Sequence, residues 1–589
     1  MRGQHGFIKA LTVASVGLLL IACERSPTPG PTPVTLSSAA LSAHSAEFER
    51  QVIEVAPGVH VAVGFALANV IMIEGDGGVI IVDTTESKQA AREVKRAFDA
   101  ITQLPVKAII YTHNHTDHIM GAEVFAPDGN VPVYAHDSTW EHIQRIMTVL
   151  RPVIETRSYH MFGNYLARGG EAIVNDGIGP ALSHTPGDDG DVFGLLPPTR
   201  TFSDTLDVTI AGRRLRLIHS PGETDDQIAV WLPEERILLP GDNVYKAFPN
   251  LYTVRGTRYR DVTKWARTVR QLDELGARYL IPSHTRPVTG AENIAAILGP
   301  YADAIQYVHD QTVRGMNMGL SPEELSQTVK LPPALAEHPW LQPFYGTVAW
   351  SVRSVYSGYL GWFDGNSTHL YPTPERQKAA RTLAIMGGAE RVLQEAEGVL
   401  SEADPDPQWA AELADIVITA RDGETEQAGK IKARALRQLA AATPNPNARN
   451  WYLSDALELE GKIDIAPAPV SAERVDFASQ FPVDGVLQSM AVNLDPKKAQ
   501  GVDQRAVFVF PDQGKRIGLH VRNQVAVVEP QAATGEALEI TVNARDWLAL
   551  VSGQRSFALA MADGTLQVSG GLGGKAELLQ FLNLFRVEQ

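Results

Sequence analysis

The stretch Thr112-His113-Asn114-His115-Thr116-Asp117-His118 constrains this chain more than any other. It follows an apolar run, Val106-Lys107-Ala108-Ile109-Ile110-Tyr111, that reads as a buried strand. The turn after that strand therefore carries three His and one Asp within a few residues. Imidazole and carboxylate are ligands that suit divalent zinc, and a carboxylate can bridge two ions. A polar loop that only caps a helix seldom holds side chains of these types at this spacing.

The neighbouring sequence says what kind of scaffold delivers the turn. Val70-Ile71-Met72-Ile73-Glu74 and Val79-Ile80-Ile81-Val82-Asp83 read as a hairpin around Gly75-Asp76-Gly77-Gly78. Residues 88–100 have the pattern of an amphipathic helix, and residues 131–136 form a further strand. Strands separated by helices predict a layered α/β domain. Residues 157–200, rich in Gly, Pro and Asp, read as a long irregular segment, and a compact domain uses such a segment as a wall of its site. Residues 206–210 and 214–218 form a hairpin that runs into Ser220-Pro221-Gly222-Glu223. Residues 227–232 and 236–239 end at Gly241-Asp242-Asn243, and Tyr279-Leu280-Ile281 runs into Pro282-Ser283-His284. Glu223 and Asp242, each a surface carboxylate if taken alone, thus follow strand ends, as the His/Asp cluster and His284 do. Open α/β sheets build their sites at such ends.

A chain of 589 residues is too long for one core, so several domains are expected. The formal net charge of −16 argues against nucleic acid as a partner. It also gives an anionic substrate no long-range steering, so such a substrate needs cations placed at the site. Cys23 is the only cysteine, which excludes an intramolecular disulfide. It closes a short apolar run, residues 10–22, behind Arg2 and Lys9. The ending Leu20-Ile21-Ala22-Cys23 resembles a bacterial lipoprotein box, which implies cleavage before Cys23 and lipid on its sulfur. Residues 26–33 are a Pro-rich tether. The expected placement is the bacterial cell envelope, lipid-anchored and facing the periplasm.

The order Thr112 to His118, Ser220-Pro221-Gly222, Gly241-Asp242 and Ser283-His284 resembles the metallo-β-lactamase superfamily. Many members carry His after the Pro-Gly, whereas Glu223 stands here, as in the alkyl sulfatase branch. Asn250-Leu251-Tyr252-Thr253-Val254-Arg255-Gly256 with Arg260-Asp261 is similar to the stretch in which that branch holds sulfate by two arginines. Further on, residues 355–366, Met386-Gly387-Gly388-Ala389 and Asn450-Trp451-Tyr452-Leu453 resemble the family's helical dimerisation domain. The tail resembles a sterol-carrier-like module. The resemblance implies an αββα sandwich, then an all-α dimerisation domain, then an α+β domain. The expected boundaries are 1–22 signal peptide, 23–45 linker, 46–319 catalytic, 320–463 helical and 471–589 C-terminal. Two departures stand out: the branch usually has Glu where Asp242 stands, and His where Pro249 stands.

By the same resemblance, two Zn²⁺ ions bind each chain. One is held by His113, His115 and Glu223, the other by Asp117, His118 and His284, with Asp242 bridging. Two ions ~3.5–4 Å apart share a water and lower its pKa toward neutrality. Arg255 and Arg260, with Asp117, are the expected catalytic residues, because a planar guanidinium fork matches sulfate oxygens and stays charged. The implied activity is hydrolysis of alkyl sulfate esters by a homodimer. Competing readings are another hydrolase of the superfamily, a lactonase or phosphodiesterase, and a non-catalytic envelope lipoprotein. Residues 379–400 and 409–420 are expected to form amphipathic helical pairs. The aromatics Trp340, Phe344, Tyr345, Trp350, Tyr356, Tyr359, Trp362 and Phe363 are expected in core or dimer contact, a few of them lining a channel for an alkyl chain.

Overall fold

Strands with apolar residues at every position must be covered on both faces. β1 (Gln51–Ala56), β2 (Val59–Val63), β3 (Val70–Gly75), β4 (Gly78–Val82), β5 (Val106–Ile110), β6 (Val133–His136) and β7 (Arg200–Phe202) form a seven-stranded sheet in sequence order, in which β2, β3 and β4 are the strands buried along most of their length. Its first four strands pair antiparallel, and β4 to β7 run parallel. A second, six-stranded sheet has the order β13-β12-β11-β10-β9-β8, from β8 (Thr205–Ile210), β9 (Arg213–His219), β10 (Ile228–Leu232), β11 (Ile237–Leu239), β12 (Tyr279–Leu280) and β13 (Val288–Thr289). The computed structural model describes residues 38–167, 173–181, 193–421, 423–467, 472–532 and 538–585. The expected signal peptide, Cys23 and the Pro-rich tether lie outside them.

The alternation of side chains across each strand sorts the core into layers. Ile71 and Ile73 of β3 face Ile228, Val230 and Leu232 of β10 between the sheets. Val70 and Met72 point the other way, with Val94 and Phe98 of the helix Lys88–Asp99, which Ser87 caps. On the far side Ala229 and Trp231 of β10 pack with the helices Val262–Asp273 and Ala291–Asn317. Helix, sheet, sheet and helix follow one another, the expected αββα sandwich.

The helical segment includes the helices Glu375–Met386, Ala389–Leu400, Pro407–Ala420 and Thr425–Ala442 around Leu383, Leu393, Val417 and Ile431, followed by the helix Pro446–Leu459. Within the expected helical stretch 379–400, Gly387 and Gly388 separate two helices. Their φ values of 95° and 96° are left-handed and stop the first helix. The C-terminal module is α+β: a five-stranded sheet, β16-β15-β14-β17-β18, with helices over a core of Phe508, Ile517, Trp547 and Phe581. Its strands are β14 (Gln504–Phe510), β15 (Lys515–Arg522), β16 (Val525–Glu529), β17 (Leu538–Thr541) and β18 (Gln567–Val568).

Two expectations need correction. The linker does not extend to residue 45, because Ser38–His44 is a helix whose Leu41 is fully buried beside Tyr245 and Phe344. Nor does the irregular segment begin at 157. The helix Arg151–Met161, with Pro152 in its first turn, runs through that point.

Candidate metal and anion site

The site gathers where the inner strands end. At the end of β4 Asp83 adopts φ 60°, a left-handed conformation uncommon for a residue with a side chain. Its fully buried carboxylate accepts from Thr112 N (2.8 Å), Thr112 Oγ1 (2.9 Å), His118 Nδ1 (2.8 Å) and Ser283 Oγ (3.0 Å). One side chain thus ties the ends of β4, β5 and β12 together. Sequence reading passed over Asp83 because it closes an ordinary apolar run. The one local signal was an acidic residue at a buried strand end.

The other ring nitrogens are oriented in the same way. Thr112 Oγ1 donates to Asp83 and is left to accept from His113 Nδ1 at 3.0 Å. His284 Nδ1 donates to the Leu67 carbonyl at 2.9 Å. The Nε2 atoms of His113, His118 and His284 turn inward to Asp242 Oδ2, at 3.7, 3.4 and 3.1 Å. Asp117 Oδ2 lies 3.4 Å from His118 Nε2 and 3.5 Å from His284 Nε2. His115 Nδ1 lies 2.8 Å from His113 Nε2 and 3.8 Å from Glu223 Oε2.

All seven expected ligands are thus brought together, in two groups. His113, His115, Glu223 and Asp242 form one, and Asp117, His118 and His284 the other, the atoms of each lying within 4.8 Å of one another. The donor chemistry fits divalent cations. His118 Nε2 and Asp242 Oδ1 are buried without a hydrogen-bond partner among the described residues, as inward-facing ligand atoms would be. A third group, His160, Asp455 and Glu458, lies apart from the strand ends.

Electrostatics follow from this crowding. Burial, reinforced by His118, lowers His113 to about 4. Burial, His113 and the two arginines lower His115 well below its ordinary value, so both imidazoles stay neutral. For His118 burial acts downward, but Asp242, Asp117 and Asp83 outweigh it and raise the ring well above its ordinary value. Burial would raise Asp117, yet His118 and His284 hold it down at about 2. Glu223 and Asp242 lie against each other: burial raises Glu223, while three histidines overcome burial and depress Asp242. Bound cations would take the place of the protons on such groups.

Both expected arginines border the cluster, in different ways. Arg260 is buried, and its Nη1 donates to Glu223 Oε1 at 2.7 Å and to the Asn250 carbonyl. Its Nε and Nη2 are buried without partners among the described residues. Arg255 donates from Nη2 to His115 Nε2 at 3.1 Å and from Nη1 to Thr253 Oγ1 at 3.3 Å. Asp261, next to Arg260, caps the helix Val262–Asp273.

A cleft of about 290 Å³ opens over Glu223, Arg255 and Arg260, with Ile143, Met147 and Ile154 on its opposite wall. A smaller cavity of about 200 Å³ faces His115, Asp117 and Asp242 and is lined by Met120, Phe162, Phe193 and Tyr345. Phe162 and Phe193 bear out the irregular segment as a wall. Of the expected aromatic channel, Tyr345 lines this cavity, and Trp340, Phe344 and Tyr356 are buried in the core. The helices Thr139–Met147 and Arg151–Met161, which carry most of the apolar wall, were not expected as helices from sequence.

Comparison with known proteins agrees with this geometry. Residues 63–284 match the metallo-beta-lactamase superfamily, 321–462 the alkyl sulfatase dimerisation domain and 471–588 the alkyl sulfatase C-terminal domain. The chain is 38% identical over 531 residues to a linear primary-alkylsulfatase of Pseudomonas sp. (strain ATCC 19151), a match spanning 88% of this chain and 98% of that one. It is 29% identical over 484 residues to an (R)-specific secondary-alkylsulfatase of Pseudomonas sp., covering 80% of this chain and 71% of that one. Its fold matches that of the stereoselective inverting sec-alkylsulfatase Pisa1 from Pseudomonas sp. with a TM-score of 0.84, at 26% identity, over 92% of this chain and 85% of that one. With its sandwich, helical segment and C-terminal module each matched in turn, the chain belongs to the alkyl sulfatase family of the metallo-beta-lactamase superfamily.

Proposed function

We propose that this protein hydrolyses alkyl sulfate esters to an alcohol and inorganic sulfate, using two divalent cations, zinc, per chain. The observation that carries the reading is the pairing of a seven-ligand cluster with two arginines in one cleft bordered by apolar side chains. His113, His115 and Glu223 would hold one ion and Asp117, His118 and His284 the other. Asp242 would bridge, because its Oδ2 faces imidazoles of both groups. When bound, the ions supply a water activated for attack near neutral pH.

The chain's own residues bind and orient the ester. Arg260 offsets the Glu223 charge through Nη1 and keeps Nε and Nη2 for the sulfate oxygens. Because Arg255 donates to His115 Nε2, the proton of that neutral ring sits on Nδ1. With Nδ1 as the ligand atom, the neutral His115 ring would carry its proton on Nε2, facing the Arg255 donor, and the guanidinium would be free to turn to the anion. Two arginines in a buried cleft supply the local cations that a net charge of −16 withholds at long range. Ile143, Met147 and Ile154 give the alkyl chain an apolar bed. A lactonase has less use for both arginines, the alkylsulfatase relatives rather than the arginines speak against a phosphodiesterase, and a non-catalytic lipoprotein has no use for the complete ligand set.

The test is turnover of dodecyl sulfate by the purified chain in ¹⁸O-labelled water, with elemental analysis of the same sample. Sulfate release with two zinc ions per chain is expected, and the label assigns attack to sulfur or to carbon. Absence of sulfate release from the metal-replete chain, or activity with one ion or none, overturns the reading.

A further inference from the structure

The loop that carries Arg255 is held from behind by a residue outside every recognised motif. Arg157, on the helix Arg151–Met161, donates from Nε to the Arg255 carbonyl (3.0 Å) and from Nη2 to the Val254 carbonyl (2.5 Å). Gly256 follows with φ 103°, and its N–H closes a turn onto the Thr253 carbonyl at 3.0 Å. Two consecutive carbonyls on one guanidinium set the planes of the two peptides that flank the Arg255 Cα, and hence the direction in which the Arg255 side chain leaves the backbone.

Arg157 is in turn fixed by the helical domain. Its guanidinium lies over the Trp451 ring at 5.3 Å, and Trp451 belongs to the helix Pro446–Leu459. One turn along from Arg157, His160 stacks on the same indole at 4.9 Å. His160 Nε2 contacts Glu458 Oε2 at 2.8 Å, and its Nδ1 contacts the Thr156 carbonyl at 2.8 Å. Asn450 of that helix also donates to the Met161 carbonyl at 3.2 Å. The two helices are therefore joined by stacking and two hydrogen bonds, with Arg157 between this joint and the Arg255 loop.

We propose that Arg157 is a positioning residue for the sulfate site, and that the helical domain, through Trp451, holds it in register with Arg255. This rests on the reading of Arg255 as a sulfate contact. The helical domain then does more than assemble copies of the chain, since it preorganises an anion-binding arginine in the catalytic domain. Displacement of a reacting group by about 1 Å costs up to roughly a hundredfold in rate, so a device of this kind has a large lever.

The experiment is a double-mutant cycle on alkyl sulfate turnover, with inorganic sulfate as a competitive inhibitor and with metal content and Tm as controls. Arg157→Gln is expected to lower kcat/KM by between about ten- and a hundredfold and to weaken inhibition by sulfate. In an Arg255→Ala background the same change should cost less than about twofold, because nothing remains to be positioned. Arg157→Lys should recover part of the loss. Trp451→Leu, which keeps Arg157 and removes its platform, should give a smaller loss that also vanishes in the Arg255→Ala background. It serves as the decisive variant if Arg157→Gln fails to fold. A loss that persists undiminished without Arg255, or none in the single variants, overturns the proposal. Full sulfatase activity in Arg255→Ala alone overturns instead the assignment of Arg255 to the sulfate, and the positioning role with it.

Discussion

At Glu223 one carboxylate is shared between the metal-competent cluster and a guanidinium, and both side chains are almost wholly buried. On the proposed reading, Arg255→Ala and Arg260→Ala each remove a charge-assisted contact to sulfate. Such a contact is worth about 1.5–3 kcal/mol, so kcat/KM for an alkyl sulfate should fall roughly ten- to a hundredfold with metal content intact. Stability separates the two. Only Arg260→Ala leaves the buried Glu223 without its guanidinium partner, and in the metal-free chain it should cost about 1–3 kcal/mol in denaturant unfolding, while the half-buried Arg255 costs less. Asp83 gives a second prediction. Asp83→Asn keeps an acceptor for Thr112 but turns a donor toward the His118 Nδ1 proton. Loss of such a carboxylate behind an imidazole should weaken metal affinity about ten- to a hundredfold in a competitive chelator titration. The arginines were legible in the sequence because they sit in a short local pattern. Asp83 was not, because its partners lie 29, 35 and 200 positions away.

Among the elements, the helix Ser38–His44 shows how a segment of unremarkable sequence becomes part of the catalytic domain. His44 Nε2 donates to the Gly177 carbonyl at 2.7 Å, and its ring stacks on Phe344 at 4.2 Å. Burial lowers its pKa below 6.5, against the smaller opposing pull of the Gly177 carbonyl. Below pH 6.5 the unfolded chain therefore takes up a proton that the folded chain refuses. The stability from this group is complete above that pH and is lost as pH falls toward the depressed value. The unfolding midpoint should drop between pH 7 and pH 5, and His44→Gln, which keeps an N–H donor but does not titrate, should flatten part of that slope. The strands of the sandwich were readable from apolar runs and turn residues. The helices Thr139–Met147 and Arg151–Met161 were not, because the Gly- and Pro-rich composition that follows them masked where irregular structure begins.

On the scale of the whole molecule, large apolar side chains remain exposed in the segment that matches the dimerisation domain. Trp362 is 73% exposed, Tyr371 96% and Ile385 87%. Surfaces of this kind are covered in an assembly. We expect a homodimer by sedimentation velocity, and a shift toward monomer in the double variant Trp362→Glu/Tyr371→Glu with the circular dichroism spectrum unchanged. Among the described residues no helix is long and apolar enough to cross a membrane. Attachment to the envelope is a separate proposal, carried by the lipoprotein-box resemblance that ends at Cys23. The wild-type chain should fractionate with membranes and Cys23→Ser should be released. A wild-type chain wholly soluble after export would refute the lipoprotein box.

What the sequence determined by itself is local: the strand before Thr112, the cluster from His113 to His118, and the carboxylates and His284 placed after later strand ends. Each is a matter of spacing along a few residues, and the period of a strand or the span of a turn dictates it. The tertiary structure alone decided which imidazole nitrogen faces inward, since Asp83, Thr112 and Leu67 take the other one. It also decided that Arg260 pairs with Glu223 and that Arg157 stands behind Arg255. These are contacts between side chains far apart in sequence, and only the packing of both sheets and their helices brings such donors within reach of such acceptors.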